Sequence, residues 1–311
     1  MNEAKEVVQL PHVSVIIPHL NQFEALSVCL TSLAAQSYPA ALVEILVVDN
    51  GSIHSCESVT RQFDGIRLLM ETEPGPGPAR NRGIAAASHA LLAFIDADCR
   101  ADPDWLATAV AALETNDSTG VVGGDVRIDA VSSTRLTPIE AYESVFAFRQ
   151  RMYIARDHFS GTGNLAMRRV VFEQVGPFAG IGIAEDRDWG QRATAQGFPP
   201  RYAGNMKVFH PARLRFGDLC EKWRRHIAHD LETHRMTGKS NWRWRLKSAA
   251  MIASVVPHAA MLLTSGRLTG FGNRLKGVRI LAKIRQFRAV EMLRQARLSG
   301  ESHATGWNRG G

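Results

Sequence analysis

Short apolar runs alternate with amphipathic stretches through the first part of the chain. VSVII (13–17) precedes a helical pattern that reaches about Gln36, and EILVVD (44–49) precedes another near Cys56 to Phe63. IRLLM (66–70), a helix from Ala79 to Ser88, ALLAFID (90–96) and a helix opening at DPDWL (102–106) continue the alternation. Asp102 is the expected N-cap ahead of Pro103. This rhythm predicts an α/β fold with a mostly parallel central sheet flanked by helices. Right-handed crossovers then bring the strand ends to one edge, where open α/β sheets bind their ligands. Asp49 closes the second apolar run, and Asp96 and Asp98 close the fourth. All three carboxylates are therefore expected at the ligand edge.

After GVVGGDVRI (120–128) the pattern turns helical over YESVFAFRQRMYIAR (142–156), followed by a Gly-rich turn at GTGN (161–164) and an acidic helix start at EDRDW (185–189). RYAGNMKVFH (201–210) reads as a strand that rejoins the sheet. From about Phe216 the chain is helical and basic, with breaks near Gly238 to Asn241 and at Pro257. The expected organisation is a catalytic domain over 10–215, a helical basic module over 216–298 and a flexible tail over 299–311.

At 311 residues, 45% hydrophobic and 22% charged, the composition is that of a globular protein and not of a disordered one. The four cysteines show no CxxC spacing, and the first residues lack a basic end followed by a long apolar run. A cytoplasmic protein with reduced thiols is expected. The net charge of +7 is concentrated after Pro200 and calls for an anionic partner. No helix-turn-helix, zinc or RNA-binding signature accompanies that charge, so nucleic acid is not the expected partner. SAAMIASVVPHAAMLLTSG (248–266) is apolar but carries Pro257 and His258 in its middle. A buried or interfacial helix pair is expected there in preference to a membrane span. Trp242 and Trp244 among arginines, with Arg267, Arg274, Lys276 and Arg279 beyond, form the pattern of a segment lying on an anionic bilayer, at the inner face of the cell membrane.

Asp96 and Asp98 are spaced to approach one hard cation and the diphosphate it bridges. Without a ligand the same pair serves as a turn ahead of Pro103, although Asp102 fills the capping role there without them. Mg²⁺ or Mn²⁺ suits the chemistry, because a departing nucleoside diphosphate develops negative charge. His210 ends the last apolar strand and is either a third, imidazole ligand or a strand-end histidine satisfied by solvent. Glu185 and Asp186 open a helix; one of them is placed to deprotonate an attacking hydroxyl, and acids also favour a first helical turn on their own account.

VSVIIPHLNQ (13–22), LVVDNGS (46–52), GPGPARNRGI (75–84), FIDADC (94–99), GTGNLAMRR (161–169) and AEDRDW (184–189) follow one another in an order that resembles the family 2 glycosyltransferases of the GT-A fold. The resemblance covers Val13 to His210. It implies an inverting transfer of a sugar from a nucleotide-diphosphate donor to an acceptor hydroxyl. Pro18 and Asn21 would then line the nucleoside pocket, Asp49 would bind the base, and Arg80 and Asn81 would flank the donor, with Arg80 alternatively paired to Asp96. Asp96 would approach the ribose or the metal and Asp98 the metal, while Gly163 and Asn164 would face the donor sugar and acceptor. Asp186 would be the catalytic base, with Glu185 in reserve.

The processive members' QxxRW motif is missing, since WGQRATAQG (189–197) does not match it, so a single addition is expected. With the basic, Trp-bearing tail, the resemblance implies a lipid-linked or otherwise amphiphilic acceptor in cell-surface polysaccharide or glycolipid synthesis. PHLN stands where the family more often has Pro, an aromatic and Asn, which puts His19 in the nucleoside pocket. A sugar-phosphate nucleotidyltransferase is the alternative enzyme class. Its Gly- and Lys-bearing loop after the first strand is absent from PHLNQFEAL (18–26).

Overall fold

The computed structural model describes residues 10–115, 119–238 and 240–298; the tail expected over 299–311 lies outside them. The strands are β1 (Val13–His19), β2 (Val43–Asp49), β3 (Ile66–Met70), β4 (Leu91–Ile95), β5 (Arg100–Ala101), β6 (Val121–Asp129), β7 (Asn164–Arg168) and β8 (Arg201–Pro211). The earlier helices are α1 (Phe23–Ala34), α2 (Glu57–Thr60), α3 (Pro76–Ala86), α4 (Trp105–Glu114), α5 (Pro138–Phe146) and α6 (Gln150–Met152). The later ones are α7 (Arg169–Val175), α8 (Glu185–Ala195), α9 (Phe216–Met236), α10 (Asn241–Ala253), α11 (Val255–Thr264) and α12 (Phe271–Arg297).

The chain divides into two compact units, Met1–Arg127 with Arg149–His210, and Ile128–Phe148 with Pro211–Gly311. In the first, one eight-stranded sheet runs in the order β3-β2-β1-β4-β7-β6-β8-β5. The β3, β2, β1 and β4 neighbours pair in parallel; β1 and β4 are covered on both faces, while β3 lies at the sheet edge with Arg67 and Met70 exposed. β7 then pairs antiparallel with both β4 and β6, and β8 antiparallel with β5. The core packs Ile16, Leu46, Leu92, Phe94 and Met167 of the sheet against Ile84, Val171 and Trp189 of the helices.

Several boundaries differ from the pattern. α3 starts at Pro76, three residues before the expected Ala79, because proline needs no N–H in a first turn. α4 starts at Trp105 with Asp104 at the N-cap, so Asp102 does not cap it; Asp102 Oδ1 accepts the Asp104 N–H instead. The helix expected over 142–156 breaks after α5 and ends in a π-turn, Tyr153–Asp157, that stops at left-handed His158.

In the second unit, α5 opens on a Thr137/Glu140 capping box and buries Ile139 and Tyr142 with Leu219, Leu262, Leu281 and Ile284. Buried Glu143 accepts the Arg213 backbone N–H at 2.8 Å, a further tie between Ile128–Phe148 and the C-terminal helices. α10 and α11 part at Ser254 because Pro257 lacks the N–H that the Ala253 carbonyl requires. Asn241–Thr264 is long and apolar enough to cross a membrane by length and composition, and only 11% of its apolar window is buried inside the protein. The apolar pair is thus largely uncovered. Trp242 is exposed, whereas Trp244 is buried and donates its indole N–H to the Met292 carbonyl, so Trp244 is a core residue and not a surface anchor.

Candidate active site

β1 and β2 run in a register that sets His19 opposite Asp49, which brings the loops after both strands to one edge, with Pro18 next to Val48 just inside it. Asp49 is 1% exposed and accepts the Ser52 backbone N–H at 3.0 Å. Asn21, in the left-handed region at φ 55°, accepts the Ile53 N–H on its side-chain oxygen and donates its own N–H to Ser52 Oγ. Asparagine tolerates that conformation, so the two loops are stitched into one rim. Burial holds the His19 imidazole below its usual range against the opposing pull of Asp49, and its Nε2 accepts the Gln22 N–H at 3.2 Å. His19 therefore faces inward.

Cys56 joins His19 and Asp49 in a buried trio whose ligand atoms lie within 4.8 Å of one another. Burial, and then the Asp49 charge, push its thiol up to about 11, and the sulfur donates to Asp49 Oδ2. The trio forms the polar floor of the rim.

Asn50, unremarked in the sequence reading although it sits in LVVDNGS, donates to the Glu71 and Glu73 carbonyls and accepts the Gly75 N–H at 2.7 Å. It suspends the segment that leads into α3. That helix delivers Arg80, 3% exposed, between two acids from distant parts of the chain. Nη2 donates to Asp96 Oδ1 at 2.8 Å and Nη1 to Glu185 Oε1 at 3.0 Å. One guanidinium fork thereby fixes the spacing between the DxD segment and the acidic helix start. Asn81 pairs in both directions with the backbone of Phe178, at 2.9 Å each way, and so pins the chain that runs into α8.

Asp98 meets His210 Nε2 at 3.2 Å and Gln22 Nε2 at 3.5 Å, which ties the metal-type cluster to the β1 rim. Burial alone would raise the Asp98 carboxyl; the hydrogen bond and charge of His210 outweigh it and leave it lowered. Gly163 lies against Asp96: a Cβ there would meet Asp96 Oδ2 at 2.5 Å, so only glycine lets β7 approach this closely. Hard carboxylate oxygens with one imidazole form a donor set for Mn²⁺ or Mg²⁺. Neighbouring ligands of an octahedral ion at ~2.1 Å lie ~3 Å apart, close to the observed Asp98–His210 separation. Asp98 and His210 therefore fit such an ion as neighbouring ligands, while Asp96 Oδ1 is engaged by Arg80.

Asn164 is placed differently from its expected position at the donor sugar. It is fully buried, its oxygen accepts the Trp105 indole N–H at 2.8 Å, and both amide hydrogens go to the Asp125 and Met206 carbonyls. Its side chain is a staple of the sheet, with no donor left for a ligand.

At the start of α8, Glu185 is held by Arg80, whereas Asp186 accepts only the neighbouring Arg187 N–H at 2.7 Å. Burial first and the Glu185 charge second push the Asp186 carboxyl up to about 6. A carboxyl that titrates just below neutrality is suited to accept a proton from an attacking hydroxyl.

Residues 14–176 match the model of Glycosyl transferase family 2. The glycosyltransferase AglE of Haloferax volcanii is 38% identical over 221 residues, 68% of this chain and 71% of that protein. Among solved structures, the mannosyltransferase PcManGT from Pyrobaculum calidifontis, in complex with GDP-Man and Mn²⁺, has a TM-score of 0.56 at 19% identity, covering 96% of this chain and 78% of that one. TarS 1–349 of S. aureus, in complex with UDP-GlcNAc, has a TM-score of 0.52 at 17% identity and 93% coverage of each chain. These two likenesses establish the fold as GT-A. The family match over more than half of the chain and the relative at 38% identity carry the rest: this protein belongs to glycosyl transferase family 2 and is a glycosyltransferase.

Proposed function

We propose that the protein is an inverting, metal-dependent glycosyltransferase that adds a single sugar from a nucleotide-diphosphate donor to an acceptor hydroxyl. The observation that supports this reading is the Arg80 fork, which couples Asp96 to Glu185, the neighbour of the raised Asp186. Pro18, Asn21 and Asp49 form the nucleoside end of the donor cleft. Asp96, Asp98 and His210 would hold Mn²⁺ or Mg²⁺, which would supply Lewis-acid stabilisation of the diphosphate charge. Asp186 takes the proton of the acceptor hydroxyl as its oxygen bonds to the anomeric carbon; the bond from that carbon to the diphosphate breaks on the opposite face. A single displacement of this kind inverts the anomeric centre. Arg80 is a positioning residue, since it acts through the two carboxylates it holds.

The catalytic domain, 10–215, works with the helical module, 216–298, placed on the anionic inner face of the cell membrane. The acceptor is a lipid-linked sugar of polysaccharide or glycolipid synthesis. Exposed Trp242, Ile252 and Val256, with exposed Arg243 and Arg245, support that placement.

A panel of nucleotide-sugars, including GDP-mannose and UDP-GlcNAc, with Mn²⁺ or Mg²⁺ tests the reading through release of nucleoside diphosphate. Asp98→Ala is expected to lower metal-dependent release by ~10²–10³-fold. Full release by that variant, or release of pyrophosphate in place of nucleoside diphosphate, overturns it.

A further inference from the structure

Helices α9, α10 and α12 of the second unit surround a cavity of 430 Å³. Every residue that lines it lies between Ile227 and Met292, so it is built without any group of the donor cleft. Trp244, Met251 and Met292 give it an apolar wall, and Lys247, Arg285 and Arg288 line it against a single acid, Asp230.

At the cavity, a buried nitrogen on each of Arg288 and His234 lacks a hydrogen-bond partner. Arg285 donates to the thioether sulfur of Met251, a weak acceptor. Arg288 lies over the Trp223 ring, its guanidinium carbon 3.5 Å from the centroid, and its Nε is buried without a hydrogen-bond partner. Burial, then the Arg285 charge, pull Arg288 down to about 10. His234, 3% exposed, meets the Ser240 carbonyl through Nε2, while its Nδ1 is buried and unpartnered at the cavity wall. Burying polar and cationic groups unsatisfied is costly, and an anion in the cavity would relieve it.

We propose that this cavity is a phosphoryl-binding site, in which Arg288, Arg285 and Lys247 hold the phosphate oxygens and His234 closes the back. Guanidinium forks match the oxygens of a phosphate, and the apolar wall accommodates whatever the phosphate is esterified to. A space of this size holds a phosphate ester and more. The phosphate belongs either to a lipid headgroup or to a soluble ester. The uncovered apolar face of α10 and α11 beside the cavity favours the headgroup.

The full-length protein is titrated with inorganic phosphate by calorimetry, and with phosphatidylcholine vesicles with and without phosphatidic acid by co-sedimentation. Arg288→Met and Lys247→Met are compared with Lys283→Met, which removes an exposed charge of α12 outside the cavity. Both cavity variants are expected to bind about tenfold more weakly or worse, with Lys283→Met unchanged; tenfold corresponds to ~1.4 kcal/mol. Arg288→Met should unfold near the wild-type temperature, because the side chain is half-buried and its Nε has no hydrogen-bond partner to lose. Lys247→Met, at an exposed position, keeps the test valid if Arg288→Met misfolds. Wild-type binding to phosphatidic acid vesicles, lost in the cavity variants, identifies a headgroup; binding of inorganic phosphate without binding of those vesicles identifies a soluble ester. Equal weakening by Lys283→Met, which would mean diffuse surface charge, overturns the proposal, as does unchanged binding in both cavity variants or no binding of either probe to wild type. Asp98→Ala should bind both probes normally while it loses donor turnover, which separates failure of this site from failure of the catalytic reading.

Discussion

Asp186 sits in a first helical turn, where the helix dipole favours the carboxylate, yet its carboxyl is pushed up to about 6 because burial and the adjacent Glu185 charge are stronger. A base must be ionised to work, so its active fraction is full above that value and falls as pH drops through it. kcat/KM is expected to decline about tenfold per pH unit below about 6, read from initial rates across pH. Asp186→Asn should remove this limb and ~10²–10⁴-fold of the rate. Glu185→Gln takes away a charge that raises Asp186, so the acidic limb should move to lower pH; a limb that stays in place would assign the titration to another group. Asp98 stood out in the sequence because a short polar motif after an apolar strand marks a ligand edge, whereas Asp186 and Arg80 were singled out by the family resemblance. Asn164 was not. Nothing local distinguishes an amide that meets a ligand from one that binds Trp105, Asp125 and Met206 through the sheet. Asn164→Ala would strand three buried polar groups at ~1–3 kcal/mol each, so thermal unfolding should show a loss of at least ~3 kcal/mol.

At the scale of elements, the segment GPGPARNRG works as a spacer as much as a binding motif. A Cβ on Gly77 would stand 2.0 Å from the Ala179 carbonyl oxygen, so α3 and the chain before α8 touch backbone to backbone. Asn81 locks the same contact through Phe178, and Arg80, one residue earlier in the helix, reaches Glu185 from it. Gly77→Ala should force these elements apart, cost ~1–3 kcal/mol in stability and lower kcat more than it raises KM, since the distance between Asp96 and Glu185 is what shifts. An unchanged kcat with only a lower melting temperature would confine Gly77 to packing. β1 and β4 were legible because burial on both faces leaves no polar alternation to misread. The antiparallel half was less so, since the partners of β7 and β8 are chosen by contacts far along the chain. The same holds for α5, whose burial depends on α12, more than a hundred residues away in sequence.

Across the whole molecule, the excess of positive charge and the uncovered apolar surface fall in the same C-terminal stretch. Trp242, Ile252, Val256 and Leu263 are exposed along α10 and α11, and Arg243, Arg245 and Lys247 are exposed beside them. Each large apolar side chain moved from water into an acyl boundary gains ~1.5–3 kcal/mol, and each base near an anionic leaflet ~1 kcal/mol. The two contributions add, and they respond to different perturbations. Raising salt should weaken flotation with phosphatidylglycerol vesicles without abolishing it, because screening acts on the bases and leaves the apolar insertion. Val256→Asp combined with Leu263→Asp should abolish flotation at low salt as well. The melting temperature should stay unchanged, since Val256 is 77% exposed and supports no core. If these substitutions instead dissolve a dimer and leave vesicle binding intact, the apolar face is a contact between two copies of the chain, and the membrane placement is wrong.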